Sequence, residues 1–101
     1  INDFRFPSLR NDMGKLWENY LMSERIKRNA YARRNIQYYF WRNYNQQEVD
    51  LIEIENGIIS AYEFKYSPSK KVKVPPAFGA AYPDVAFTSI SKDNYLDWIT
   101  N

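Results

Sequence analysis

Three side chains in the segment Gln47–Lys65 have types and spacing suited to chemistry: Asp50, Glu63 and Lys65. Asn56-Gly57 lies between them and is a strong two-residue hairpin signal, because both central residues of such a turn need positive φ. A two-residue turn fixes register. Glu55 then faces Ile58, Ile54 faces Ile59, Ile52 faces Ala61, Asp50 faces Glu63 and Glu48 faces Lys65. Side chains alternate along a strand, so the last four pairs share one face, apolar near the turn and ionic at the far end. Asp50 and Glu63 form a non-hydrogen-bonded pair in this register, with Cα atoms about 4.5 Å apart. Like charges directly opposite are destabilising, and burial beside isoleucines raises at least one carboxyl pKa. Three remedies exist. One carboxyl keeps its proton, Lys65 neutralises the pair, or a divalent cation sits between the carboxylates as a hard metal requires. With a metal present, Lys65 is placed to orient or deprotonate a water, or to stabilise charge developing on phosphorus. Without one, the same residues make an ion network with no chemistry.

The elements that position these groups are readable from pattern. Residues 1–10 are expected to form a lead-in. Asn11 or Asp12 is expected to cap a helix running to about Tyr31. Its apolar stripe is Met13, Leu16, Trp17, Tyr20 and Leu21, with Met22 and Ile26 on an adjacent line. Glu18 borders these stripes, and Gly14 suggests close packing. Strands are expected at 36–42, 48–55 and 58–66. The stretch 67–76 holds three of the five prolines and reads as loop. A short helix starts at Pro75 or Pro76 and ends near Tyr82, before Pro83. A last strand covers 84–90, and 93–99 makes a terminal helical turn or two. The order is α-β-β-β-α-β-α, an α/β (α+β) arrangement with a mixed sheet flanked by helices.

Composition bounds the function. The chain has 101 residues, 18% aromatic, which suits one small folded domain spanning 11–101. It opens with Ile1, Asn2 and Asp3 and reads as a piece of a longer protein. Cys and His are both absent, which excludes Cys-ligated zinc, iron–sulfur clusters, thiol nucleophiles and His-based triads. A bound metal must be an oxygen-loving cation, Mg²⁺ or Mn²⁺. The lack of Cys fits a cytoplasmic setting. No transmembrane run or signal peptide occurs, so no membrane partner is expected. The formal charge is only +2, but basic residues cluster: Arg25, Lys27, Arg28, Arg33 and Arg34 in one segment, Lys70, Lys71 and Lys73 in another. Taken alone, the first cluster suits a solvated helix end and the second a polar loop. For nucleic acid, Lys70, Lys71 and Lys73 are the candidate backbone contacts. The aromatic run Tyr38–Trp41 could stack on bases, although alternation sends half of it to the core.

An acidic residue on one strand with Glu-x-Lys on the next resembles the PD-(D/E)XK superfamily, the restriction-endonuclease-like nucleases. Asp50 matches the first element and Glu63-Phe64-Lys65 the second, and Glu18 stands where that superfamily often has a helical acid. Val49 occupies the place of the proline. More closely, the chain resembles the C-terminal domain of unknown function on bacterial and archaeal AAA-type ATPases. The landmarks are Gly14 to Asn19, then "YYFWR" with "QEVD", then Glu-x-Lys before a Pro- and Lys-rich loop. The resemblance implies a restriction-endonuclease-like central sheet. It also implies metal ligands Asp50, Glu63, the Phe64 backbone carbonyl and Glu18, with Lys65 as catalytic lysine. It implies a Mg²⁺- or Mn²⁺-dependent nuclease acting on DNA or RNA, or a catalytically inactive module of the same fold that binds nucleic acid or protein. No G-x-x-x-x-G-K-[ST] occurs, so ATP binding is expected only in an N-terminal ATPase portion of the parent chain.

Overall fold

The computed structural model of the chain describes residues 9–45, 47–66 and 73–100. Its elements are α1 (Leu9–Tyr31), β1 (Gln37–Arg42), β2 (Glu48–Glu55), β3 (Ile58–Phe64), α2 (Pro76–Ala81), β4 (Ala86–Ile90) and α3 (Tyr95–Thr100). One mixed four-stranded sheet has the order β1-β2-β3-β4. The β1/β2 and β2/β3 pairs are antiparallel, and β4 runs parallel to β3.

The hairpin turns where Asn-Gly predicts. Asn56 has φ 53° and Gly57 φ 80°, both in the left-handed region that matches the twist of the flanking strands. Register runs outward from Glu55↔Ile58 through Ile54↔Ile59 and Ile52↔Ala61 to Leu51↔Tyr62. On the other side of β2 the ladder is irregular. Tyr39 faces Ile52 and Trp41 faces Val49, which leaves Phe40 alone against Asp50 and Leu51. This is a β-bulge on β2, one extra residue in a strand, and such bulges re-aim side chains.

The two faces of the sheet carry separate cores. One packs Leu21 of α1, Leu51, Phe64, Ile90 and the α3 pair Trp98 and Ile99. The other packs Val49, Ile52 and Ala61 against Phe78 of α2. Val49 and Ile52 lie three apart yet share a face, which strict alternation forbids. The bulge at Asp50-Leu51 is the physical reason, and it corrects the expectation of an unbroken face along β2.

Helix α1 also differs from its expected form. It begins at Leu9, inside the expected lead-in, so Asn11 and Asp12 stand in its first turn rather than at its cap. Met13, Leu16, Tyr20 and Ile26 are exposed. The fully buried line is Leu21, Arg25 and Asn29. Arg25 grips Glu53 of β2 through Nε–Oε2 at 2.8 Å and Nη2–Oε1 at 3.0 Å. It also donates to the Trp98 carbonyl at 2.6 Å, and its guanidinium lies 4.6 Å from the Trp98 ring centre. Asn29 donates to the Tyr38 hydroxyl at 2.9 Å. The helix therefore docks through a paired charge, and Arg25 does not sit on a solvated face. The helix stops in a C-terminal motif: Arg34 N–H reaches the Asn29 carbonyl at 2.9 Å and Arg33 N–H the Ala30 carbonyl at 3.0 Å. Arg33 takes the left-handed position at φ 58°, where glycine is usual. Among the described residues, no helix is long and apolar enough to cross a membrane.

Candidate functional site

Asp50 and Glu63 come together at the end of the β2/β3 ladder. Their side chains share a hydrogen bond. Each also takes a backbone donor from the opposite strand. Phe64 N–H donates to the Asp50 carboxylate at 2.9 Å, and Asp50 N–H donates to the Glu63 carboxyl. These reciprocal bonds pin both side chains to the neighbouring strand. The second Glu63 oxygen, Oε2, is buried with no hydrogen-bond partner among the described residues.

Burial, reinforced by the Asp50 charge alongside, pushes the Glu63 carboxyl up to about 8 from an ordinary 4.5. Burial also raises Asp50, opposed by the Phe64 N–H and the Lys65 charge. Glu18 of α1 is raised as well, first by burial and then by Asp50, with Lys15 pulling the other way. Thus Glu18, Asp50 and Glu63 act on one another electrostatically, and Lys65 acts on Asp50.

The Phe64 carbonyl has a determined direction. No cis peptide occurs among the described residues, and Lys65 N–H donates to the Ile90 carbonyl of β4 at 2.8 Å. In a trans peptide the carbonyl opposes the N–H. The Phe64 carbonyl therefore faces β2, the side where Asp50 lies.

The donor set suits a hard cation. Two carboxylates in contact, one buried unpartnered oxygen and a carbonyl turned toward them are oxygen ligands, and Mg²⁺ commonly takes one or two carboxylates and keeps several waters. Among the described residues, no group of three or more His, Cys, Asp or Glu is clustered tightly enough to cage a metal. A cation here would rest on Asp50 and Glu63, with Glu18 as a neighbouring charge. Of the expected nucleic-acid contacts, Lys73 is exposed, while Lys70 and Lys71 lie outside the described residues. Arg25 and Arg34 are committed elsewhere, the latter to Glu55 at 2.7 Å, so the helical basic cluster is not a free positive patch.

Sequence reasoning missed two features of the site. One is the bulge that sets Asp50 opposite Phe40. The other is the buried Arg25–Glu53 pair beneath α1, whose one signal was an acid between isoleucines 52 and 54 in β2.

Fold and site together define a mixed α+β domain carrying a carboxylate pair on adjacent central strands. The chain belongs to the family described as Domain of unknown function (DUF4143), whose model matches residues 13–95, from α1 to the start of α3. No curated protein and no solved structure matches it.

Proposed function

We propose that this domain binds one divalent cation, Mg²⁺ or Mn²⁺, through Asp50, Glu63 and the Phe64 carbonyl, and hydrolyses phosphodiester bonds in DNA or RNA. The observation that carries this reading is the Asp50–Glu63 contact with its buried, unpartnered Glu63 Oε2. A buried orphan oxygen is costly, and a bound cation removes that cost together with the like-charge repulsion. When bound, the ion polarises a phosphoryl oxygen and lowers the pKa of a coordinated water. Lys65 holds positive charge beside the phosphate and orients the attacking water. Phe64 N–H and Asp50 N–H keep the carboxylates in place, and Glu18 extends the acidic rim toward α1. The likeness to C-terminal domains of AAA-type ATPases supports a place beside an ATPase domain in the parent chain, with ATP bound there. A restriction-endonuclease-like core is part of the same proposal.

The Asp50–Glu63 hydrogen bond favours a second reading. A shared proton also reconciles two carboxyls, and the domain is then a catalytically silent module that docks nucleic acid or protein.

Calorimetric titration with Mn²⁺, paired with cleavage of labelled DNA and RNA in Mg²⁺, separates the two. The nuclease reading expects one ion per chain, binding at least about tenfold weaker in Asp50→Asn, and cleavage lost in Lys65→Ala with the ion still bound. Absence of ion binding by the wild type, or equal binding by Asp50→Asn, rejects the metal site. Ion binding without cleavage of either polymer selects the silent module.

A further inference from the structure

The groove beside Asp50 has features that the carboxylate site does not use. It measures about 440 Å³ and lies between α1 and β1, lined by Met22 and Ile26, Tyr39 and Phe40, and at its polar end Asp50 and Arg42. Phe40 is 71% exposed and Tyr39 51%, although the sequence places them in an aromatic strand. Tyr38 and Trp41 on either side are half-buried, in the cores of opposite faces. β1 is an edge strand, and the bulge sets Phe40 directly across from Asp50 and Leu51. Tyr39 and Phe40 also wall a second pocket of about 250 Å³ over Phe78. Strand alternation turns Tyr39 toward that second pocket and leaves the exposed Phe40 ring beside Asp50 in the first.

We infer that this groove seats a single unpaired nucleobase on Phe40, so that the substrate is single-stranded nucleic acid. The inference rests on the cation-site reading for its placement of the phosphate. Several points support it. The groove is within the size range of pockets for small organic groups. Its walls are apolar and aromatic, which suits the face of a base, and in a duplex those faces are covered by neighbouring base pairs. Sequence-tolerant stacking on exposed aromatics is how proteins hold single strands. Its polar end carries Arg42, which is largely exposed and paired with the exposed Glu48 at 3.1 Å. An exposed pair of this kind is weak, so a phosphate can replace Glu48 on the guanidinium. The Lys65 charge is felt by Asp50, which lines that end. An anionic backbone running past Arg42 and a cation held on Asp50, with its base turned onto Phe40, matches the groove in charge and in shape.

The test uses the whole domain and phosphorothioate-linked DNA, which resists cleavage, carrying one 2-aminopurine. Anisotropy and 2-aminopurine fluorescence are followed with Mn²⁺ present, for the single strand and for its duplex. The single strand should bind at least about fivefold tighter than the duplex, with the fluorescence quenched by stacking. Phe40→Ala should weaken single-strand binding roughly 5- to 150-fold, and Phe40→Trp should restore it. Phe40 is exposed, so the alanine variant should keep its fold and its Mn²⁺ isotherm. Equal affinity for duplex and single strand, or wild-type binding by Phe40→Ala, overturns the inference while an intact isotherm leaves the cation site standing. Failure of the wild type to bind Mn²⁺ rejects the cation site, and the quenching then decides the base seat by itself. Binding of neither strand form overturns the inference.

Discussion

Glu63 shows how a single residue can report on the site. Its carboxyl is held up to about 8 by burial and by Asp50, so the folded state keeps a proton that the unfolded chain releases. The stability due to this proton is complete below about pH 4.5 and is lost as pH rises through about 8. Thermal unfolding without divalent cations should therefore show Tm falling across that window. Glu63→Gln keeps the shape and removes the charge, so its Tm should fall much less over the same range, the remaining slope coming from the raised Asp50 and Glu18, and should lie above wild type at pH 8. A wild-type profile rising between pH 5 and 8 would contradict the buried-carboxyl account. Burial raises Asp50 too, but the Phe64 N–H and the Lys65 charge oppose it and favour the ionised form. Two carboxyls in contact thus take different roles, Glu63 as proton holder and Asp50 as acceptor.

At the scale of elements, helix α1 docks through chemistry that hydrophobic periodicity does not detect. Arg25 and Glu53 are 6% and 4% exposed. Truncating one partner of a buried ion pair costs about 3–5 kcal/mol, whereas exchanging both for apolar residues is often neutral. Arg25→Met should accordingly lower the urea midpoint by that equivalent, and Arg25→Met/Glu53→Leu should recover most of it. Additive losses would show that the pair contributes nothing as a pair. Gly14 lies in the same helix, and a Cβ built there meets nothing within 4 Å. Among the described residues the expected close packing at Gly14 is therefore absent, and Gly14→Ala should stabilise by about 0.5–1 kcal/mol in the same assay. A loss on Gly14→Ala would mean that some contact there needs the bare backbone.

For the whole molecule, the sheet divides the domain into unequal halves. Two helices cover one face and the six-residue α2 covers part of the other. A cation bound at the end of β2 and β3 ties the central strands together and stabilises only the folded state. At a concentration one hundred times Kd the gain is about 2.7 kcal/mol, which for a domain of this size raises Tm by roughly 10–20 °C. Differential scanning fluorimetry with Mn²⁺ should show this shift in wild type and lose it in Asp50→Asn. A shift of equal size in both would place the ion elsewhere.

The hairpin was legible from sequence because its information is local. Asn56-Gly57 adopts the positive φ angles that only a few residue types tolerate, and counting outward from it brings Asp50 to Glu63. The absence of Cys and His limited any metal to oxygen ligands by chemistry alone. Two features required the tertiary structure. The bulge at Asp50-Leu51 arises from pairing with β1, and the count that registers β2 on β3 contains no information about the opposite edge. Arg25, Asn29 and Glu53 are polar types that pattern assigns to solvent. Their burial depends on Glu53 meeting Arg25 across 28 positions of chain, since a charge can leave water only where a partner from a distant segment replaces it.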